Sequence, residues 1–313
     1  LVLATLISSL LLYRFSAGWR TQRAREPAVG GTPGVTSLPA APISPRRAVA
    51  VLGFKNLSGR REAAWLSTAF SEMLTTELAA GEKLRTIPGE NVAYMRINLS
   101  LVDADSYSKA TLSRIRMNLA ADFVVLGSYL SLGREAGGQI RLDLRIQNAV
   151  LGETVASISE RGTERELLEL VARAGMRLRD KLGAGELSAT AAGGVRASLP
   201  SSLEAARLYS EGLTKLRAFD ALAARGLLEQ AVAADPKFAL AHSALSAAWA
   251  NLGYDAKAEE EAKKAFELAA NLSREDRLAV EGRYRETSND WGKAIEIYRT
   301  LCNLFPDNLD YGP

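Results

Sequence analysis

The feature that most constrains the fold is a 34-residue period near the C-terminal end of the 313-residue chain. A fixed period of this length is typical of a solenoid in which each copy is one pair of antiparallel helices. The first copy contains Gly212, Ala224, Leu228, Ala231 and Pro236 at fixed spacing. The second, 34 residues on, has Ala258, Ala262 and Ala265, and a third, offset by 36 residues, has Gly282, Ala294, Tyr298, Leu301 and Pro306. This spacing predicts three repeats at about 205–238, 239–272 and 275–308, with a two-residue insertion near 271–274.

These positions resemble those of the tetratricopeptide repeat, in which small residues let two helices approach closely and Pro ends the second helix. Segments 201–204 and 273–276 also have the pattern of a capping box, in which a hydroxyl and an acid three residues later satisfy backbone N–H groups at a helix start. The resemblance implies that residues 201–313 form an all-α tetratricopeptide repeat solenoid that binds a protein or peptide. An Ala-rich helical bundle with an accidental period is the alternative.

The first helix of each repeat is expected to line a concave groove. Aromatic, apolar and charged side chains together suit a peptide or a helix of a partner protein. The predicted groove residues are Tyr209, Leu213, Leu216, Arg217, Ala247, Asn251, Arg283 and Glu286. If Tyr209 and Arg217 are exposed, replacing them should change stability by no more than about 0.5 kcal/mol. The alternative is that these residues are only solvated side chains between neighbouring helices.

The N-terminal region indicates membrane attachment. Residues 1–13 are an uncharged apolar run that is too short to span a bilayer, which needs about 20 residues. Tyr13 ends this run, and Trp19 and four arginines follow it, as at the interfacial end of a membrane helix. We therefore predict a partial transmembrane helix at 1–14, with a secretory signal peptide as the alternative. Residues 15–46 are predicted to be a Pro/Gly-rich linker.

The middle of the chain, 47–186, has the element order of an α/β domain. The apolar run 48–54 predicts a strand buried on both faces, and alternation within 139–149 predicts a strand with one solvated face. The predicted strands are 48–54, 84–87, 122–132, 139–149 and 153–160, and the predicted helices are 62–80, 89–97, 106–119 and one that opens at the capping box 163–166. This order predicts an α/β mixed-sheet sandwich, followed by a linker at 187–200.

Four segments of this domain resemble the TolB amino-terminal-like domain. They are 50–59 (AVLGFKNLSG), 74–78 (LTTEL), 121–129 (ADFVVLGSY) and 141–147 (RLDLRIQ). In the family, such domains stand beside tetratricopeptide arrays in bacterial membrane signalling proteins, and this arrangement most resembles the C-terminal half of a bacterial receptor-type serine/threonine kinase. Gly53 departs from the family pattern, which commonly has Pro there, and this puts the turn geometry in question.

The sequence offers no recognisable catalytic or metal site and no cofactor motif. The His-Arg-Asp and Asp-Phe-Gly loops of a kinase are absent, so any kinase domain would lie upstream of Leu1. A single histidine, His242, excludes a multi-histidine metal site and is expected to pack on a helix face. Because six arginines against one acid in 14–47 account for the basic excess, we predict no nucleic-acid binding by this region.

A weaker candidate site is the loop after the first predicted strand. Backbone N–H groups between a strand end and a helix start can hold an anion. The candidate anion loop contains Lys55, Asn56, Ser58, Gly59 and Arg60. Neither a P-loop nor a dinucleotide fingerprint is present, so an ordinary capped loop is the alternative.

Together these features predict a non-catalytic sensory or scaffolding region of a membrane-anchored bacterial signalling protein, C-terminal to a serine/threonine kinase domain. The alternatives are the C-terminal region of a membrane-bound transcriptional regulator or nucleotide cyclase, and an envelope assembly factor. The resemblance places the folded part outside the cytoplasm, whereas the arginines after the apolar run favour the opposite orientation. We expect an extracytoplasmic location.

Overall fold

The computed structural model describes residues 46–133 and 137–308. The strands are β1 (Arg47–Asn56), β2 (Leu84–Thr86), β3 (Phe123–Ser131), β4 (Gln139–Asn148) and β5 (Thr154–Thr163). The helices around them are α1 (Trp65–Ala79), α2 (Gly89–Asn98), α3 (Lys109–Leu119) and α4 (Leu167–Lys181). The later helices are α5 (Ala189–Ala197), α6 (Leu203–Arg217), α7 (Ala221–Ala234), α8 (Ala239–Asn251), α9 (Asp255–Leu268), α10 (Arg274–Thr287) and α11 (Trp291–Leu304). All described residues belong to one compact unit.

The five strands form one mixed sheet in the order β2-β1-β3-β4-β5. Strand β1 pairs in parallel with β2 and β3, while β3, β4 and β5 form an antiparallel meander. The parallel strands are joined through helices because a parallel connection needs a crossover. The predicted five-stranded mixed sheet is therefore confirmed. We call this part of the chain, β1 to α4, the sheet domain.

Helices cover both faces of the sheet. Alternate residues of β1 point to opposite faces, so Val49 and Val51 belong to one core and Ala50 and Leu52 to the other. The first core is filled by α1 and α4 and includes the contacting rings of Phe54, Phe70 and Tyr129. The second core is filled by α2 and α3. Burial on both faces explains why β1 is a continuous apolar run.

Gly53 lies at an irregularity in β1. The pairing of β1 with β3 shifts register between Val51 and Phe54, and Gly53 has a φ of 111°. Proline is fixed near a φ of −65° and could not adopt this backbone conformation. Gly53 therefore accompanies this irregularity in a backbone conformation that glycine adopts at low cost.

After α5, six helices form three antiparallel pairs, α6/α7, α8/α9 and α10/α11, so the predicted helical repeats are confirmed. The small residues lie at the helix crossings: Ala224, Ala258 and Ala294 are buried, and a Cβ atom on Gly212 would lie 2.7 Å from Leu228. A short 3-10 turn, Ala269–Asn271, lies between α9 and α10 and overlaps the predicted insertion near 271–274 only at Asn271.

Two local predictions differ from the structure. The segment 187–200 was expected to be a linker but contains α5, whose first turn is capped by Ser188 accepting a hydrogen bond from the Ala191 N–H at 3.1 Å. The sequence does not predict this helix because it contains two adjacent glycines, and glycine is a poor helix former. Helix α6 is capped by Ser202, one residue later than the expected Ser201.

The prediction of a partial transmembrane helix at 1–14, and almost all of the predicted linker at 15–46, falls outside the described residues. None of the helices in 46–133 and 137–308 is long and apolar enough to cross a lipid bilayer.

Candidate functional site

Helix α1 joins the sheet domain to the first repeat. One face of α1 is buried in the first core through residues such as Phe70 and Leu74. The other face meets α6, where the hydroxyls of Thr68 and Thr214 are 2.9 Å apart. Because 3.6 residues make one helical turn, α1 can present an apolar face to the sheet and a polar face to α6.

An ion-pair cluster extends this contact. The Arg217 guanidinium on α6 donates to the Glu72 carboxylate on α1 at 2.9 Å and to the Glu90 carboxylate at the start of α2 at 3.1 Å. Only 14% of the Arg217 side chain is exposed. Burial opposes the charge on Arg217, but Glu72 and Glu90 outweigh it and raise the pKa of the guanidinium. Arg217 is therefore held charged inside the interface.

The structure places the predicted groove residues of the first repeat in contacts within the chain. Leu213 is buried. The Tyr209 ring packs edge-on against Phe238 at 4.8 Å, and Leu216 packs against the cluster that contains Leu245. Burial, followed by the nearby Glu72, raises the pKa of Tyr209. This part of the expected groove is closed because the sheet domain and neighbouring repeat cover it.

The predicted residues of the later repeats are more accessible. Ala247 on α8 is half-buried, while Asn251, Arg283 and Glu286 are exposed on α8 and α10. The structure therefore divides the eight predicted groove residues into an enclosed set on α6 and an accessible set on the two later inner helices.

A second contact ties the end of the array to the sheet domain. Arg46, directly before β1, pairs with Asp307, which follows α11: Nε and Nη2 donate to the carboxylate at 2.9 and 2.7 Å, and the backbone N–H donates at 3.1 Å. The Arg46 guanidinium also lies 5.1 Å from the Phe305 ring centre, a cation–π arrangement. The first and third repeats are thus both fixed to the sheet domain.

Between these two contacts lies a cleft of about 920 Å³, which we call the junction cleft. Its walls are the end of α1 with the start of α2, the helix α5, and residues 270–277 at the start of α10. Two arginines, Arg274 and Arg277, also line the cleft. The lining carboxylates are Glu72, Glu82, Glu90, Glu275 and Asp276. Counting Arg217, which pairs with Glu72 and Glu90, the five acids face three arginines, and the acidic excess that remains suits a cationic segment.

Burial changes the ionisation of two of these carboxylates. It raises the pKa of Glu72, although Arg217 acts in the opposite direction. It also raises the pKa of Asp276, although the hydroxyls of Ser273 and Ser198 donate to this carboxylate at 2.8 and 3.2 Å. An additional positive charge in the cleft would stabilise both anions.

The candidate anion loop uses its polar groups internally. The Asn56 side chain accepts from the Ser58 N–H and donates to the Arg60 carbonyl, both at 2.9 Å. Gly59 turns the chain with a φ of 67°, and Arg60 pairs with Glu62 at 2.8 Å. Lys55 is exposed. The helix that follows is only the three-residue turn Arg61–Ala63. This geometry is that of an ordinary turn stabilised by an asparagine side chain.

His242 has a structural position within the second repeat. Its Nδ1 lies 2.6 Å from the Glu261 carboxylate on α9, and its Nε2 lies 3.2 Å from the Pro236 carbonyl. The histidine is buried and connects α8 with α9. Within residues 46–133 and 137–308, no group of three or more potential metal ligands is present.

No protein-family model and no curated protein matches this chain. Among solved structures it is similar to the LpoB C-terminal domain of Salmonella enterica (17% identity, TM-score 0.31, 40% of this chain and 87% of that one). It is also similar to lipoprotein GNA1162 of Neisseria meningitidis (13% identity, TM-score 0.30, 44% and 94%), and to Escherichia coli LpoB (16% identity, TM-score 0.30, 45% and 83%). Similarities of this size carry no information about function.

Proposed function

We propose that this chain is a non-catalytic, partner-binding region of a membrane-anchored bacterial protein, and that the junction cleft holds a cationic segment of the partner. The observation that carries the proposal is the cleft itself, which is about 920 Å³ in volume, acidic, and bounded by both the sheet domain and the helical array. A rigid, concave and charged surface favours binding because little ordering is needed when the partner arrives.

The two contacts between the sheet domain and the helical repeats make the cleft a fixed feature of the fold. The Arg217 cluster holds the first repeat and the Arg46–Asp307 pair holds the end of the third. A partner that enters the cleft would contact the sheet domain and the array together. Occupancy of the cleft would then act on Arg46, which directly precedes β1 and is the last residue of the predicted linker to the membrane.

The sequence resemblance supports the wider setting of this proposal. We assign the sheet domain to the TolB amino-terminal-like type and the repeats to the tetratricopeptide type, in a signalling protein whose kinase domain lies upstream. The partner is a protein or peptide, not a nucleic acid, and the folded part faces away from the cytoplasm. An upstream lipid-attachment cysteine in place of a kinase domain would instead favour the envelope assembly factor.

Filling the cleft tests the proposal. Gly193 lines the cleft on α5, and a Cβ atom there would meet nothing within 4 Å, so Gly193→Trp should fill the space without disturbing the fold. Gly226→Trp on α7 is the matched control, because its Cβ position is equally open and it does not line the cleft. Fluorescence anisotropy with labelled lysine-rich, neutral and glutamate-rich peptides measures binding.

We expect the wild type to bind the lysine-rich peptide more tightly than the other two peptides. Gly193→Trp should lower the affinity for the lysine-rich peptide by about tenfold or more, and Gly226→Trp should leave that affinity unchanged. Equal binding of all three peptides, or equal affinity of both variants, would show that the cleft is not the binding site.

A further inference from the structure

Phe219 has a left-handed backbone conformation in the turn between the two helices of the first repeat. At the equivalent turn the second repeat has a glycine and the third an asparagine. The residue between the two helices of each repeat has a positive φ: 60° at Phe219, 78° at Gly253 and 58° at Asn289. Glycine and asparagine adopt this left-handed conformation readily, whereas for a bulky residue it is an outlier. The first repeat therefore keeps a strained aromatic residue where a better-suited residue would serve the turn.

The Phe219 side chain is largely exposed to solvent, so its packing does not offset the backbone strain. Phe219 is 73% exposed, and its main ring contact is with Tyr94 of α2 at 5.8 Å. A side chain with so much surface in water gains little from the hydrophobic effect. Backbone strain of this kind is concentrated at functional sites.

Phe219 belongs to a larger group of exposed apolar side chains. Ile97 lies one turn after Tyr94 on α2, and Leu222 lies in the first turn of α7, three residues after Phe219. Met117 on α3 is 77% exposed and shares a cavity with Tyr94. We call this group the apolar patch: Tyr94, Ile97, Met117, Phe219 and Leu222. Contiguous exposed apolar surface on a folded domain marks a protein or membrane contact.

Two residues of the patch, Tyr94 and Met117, line a cavity that also contains a positively charged side chain. The cavity, about 300 Å³ in volume, lies between α2 and α3, and Arg85 in its lining donates to the Ala120 carbonyl at 2.7 Å. Its described lining includes no carboxylate. Helix α3 also carries Arg114, one turn before Met117, together with Arg116, and has no acidic residue. Both arginines are exposed.

We propose that the apolar patch and its cavity bind an amphipathic helix of a partner protein, with apolar side chains on Phe219, Tyr94 and Met117 and acidic side chains toward Arg114 and Arg116. Arg85 in the cavity lining and the exposed Arg114 and Arg116 on α3 favour an acidic partner through charge complementarity. The cavity lined by Tyr94 and Met117 can accept side chains from a helix. A helix is therefore favoured as the partner, and a flat membrane surface is not. This surface is separate from the junction cleft, and the two sites are tested by different variants.

Relief of the strained turn provides the key variant. Phe219→Asn places in the first repeat the residue that the third repeat has at this position, so it should leave the melting temperature unchanged or raise it. The probe is a labelled synthetic amphipathic helix with leucine and phenylalanine along one face and glutamate on its flanks. We expect Phe219→Asn to weaken its binding by about tenfold or more, since aromatic anchors dominate such contacts.

Two further measurements complete the test. Trp291→Asn, an exposed aromatic residue outside the patch, is the control and should bind the probe as the wild type does. The double variant Arg114→Glu/Arg116→Glu should bind the probe with glutamate flanks less tightly than the wild type does. It should bind a matched probe with lysine flanks more tightly.

Three results would overturn the proposal. A marked drop in the melting temperature of Phe219→Asn would show that the ring serves packing alone. Vesicles of anionic lipid that bind the wild type while the peptide probe does not would make the patch a membrane contact. Self-association in sedimentation equilibrium that Phe219→Asn abolishes would make a second copy of the chain the partner.

Discussion

The Arg217 guanidinium on α6 donates to the Glu72 carboxylate on α1 at 2.9 Å, and this contact fixes the first repeat against the sheet domain. The same arginine reaches Glu90 at 3.1 Å. A residue expected to line an open groove thus helps to hold the two parts of the fold together.

Replacing Arg217 tests this role. Arg217→Ala leaves the partly buried Glu72 without its partner, and we expect a loss of about 1 to 3 kcal/mol in the free energy of unfolding. The control is Arg207→Ala on the same helix, where the exposed pair with Glu211 spans 3.5 Å and should contribute less than about 0.5 kcal/mol. Urea unfolding followed by circular dichroism measures both. Similar small losses in both variants would mean that Arg217 is exposed, as the sequence suggested.

The Arg46–Asp307 pair should make stability depend on acid pH. Burial alone would raise the pKa of Asp307, but the hydrogen bonds and charge of Arg46 outweigh it and hold the pKa below its ordinary value. A carboxyl whose pKa is lower in the folded state stabilises the fold above the unfolded value of about 3.9, and this contribution disappears as pH falls through the folded value.

We therefore expect Asp307→Asn to lower the melting temperature at pH 6 to 7, and expect the difference from wild type to shrink below about pH 4. Differential scanning calorimetry across this pH range measures it. A difference that stays constant down to the most acidic conditions would argue against an ionised contact between Asp307 and Arg46.

The helix crossing in the first repeat should reject a larger side chain. A Cβ atom on Gly212 would lie 2.7 Å from the buried Leu228 side chain, so Gly212→Val overpacks the crossing and should cost about 1 to 3 kcal/mol. Gly226→Val on α7 is the control with the same change of residue and an open Cβ position. Thermal unfolding that shifts equally in both variants would show that Gly212 does not set the distance between the helices.

Local pattern predicted most of the secondary structure. The alternation along β4 and the continuous apolar run of β1 indicated strands, because side chains of a strand alternate between two faces and both faces of β1 are covered. The repeats were readable for a similar reason, since Ala224 and Leu228 must meet a neighbouring helix at a fixed spacing. These signals arise between residues close in sequence or related by the period.

The sequence by itself determined the five strands, the helical repeats and the small residues at their crossings. Only the tertiary structure decided which repeat surfaces remain accessible. Arg217 meets Glu72 from 145 positions away, and Arg46 meets Asp307 from 261 positions away. Neither spacing belongs to a helical, strand or repeat period, so no pattern in one sequence could reveal these contacts. They depend on how the array folds back onto the sheet domain, which closes the groove at α6 and creates the junction cleft beside it.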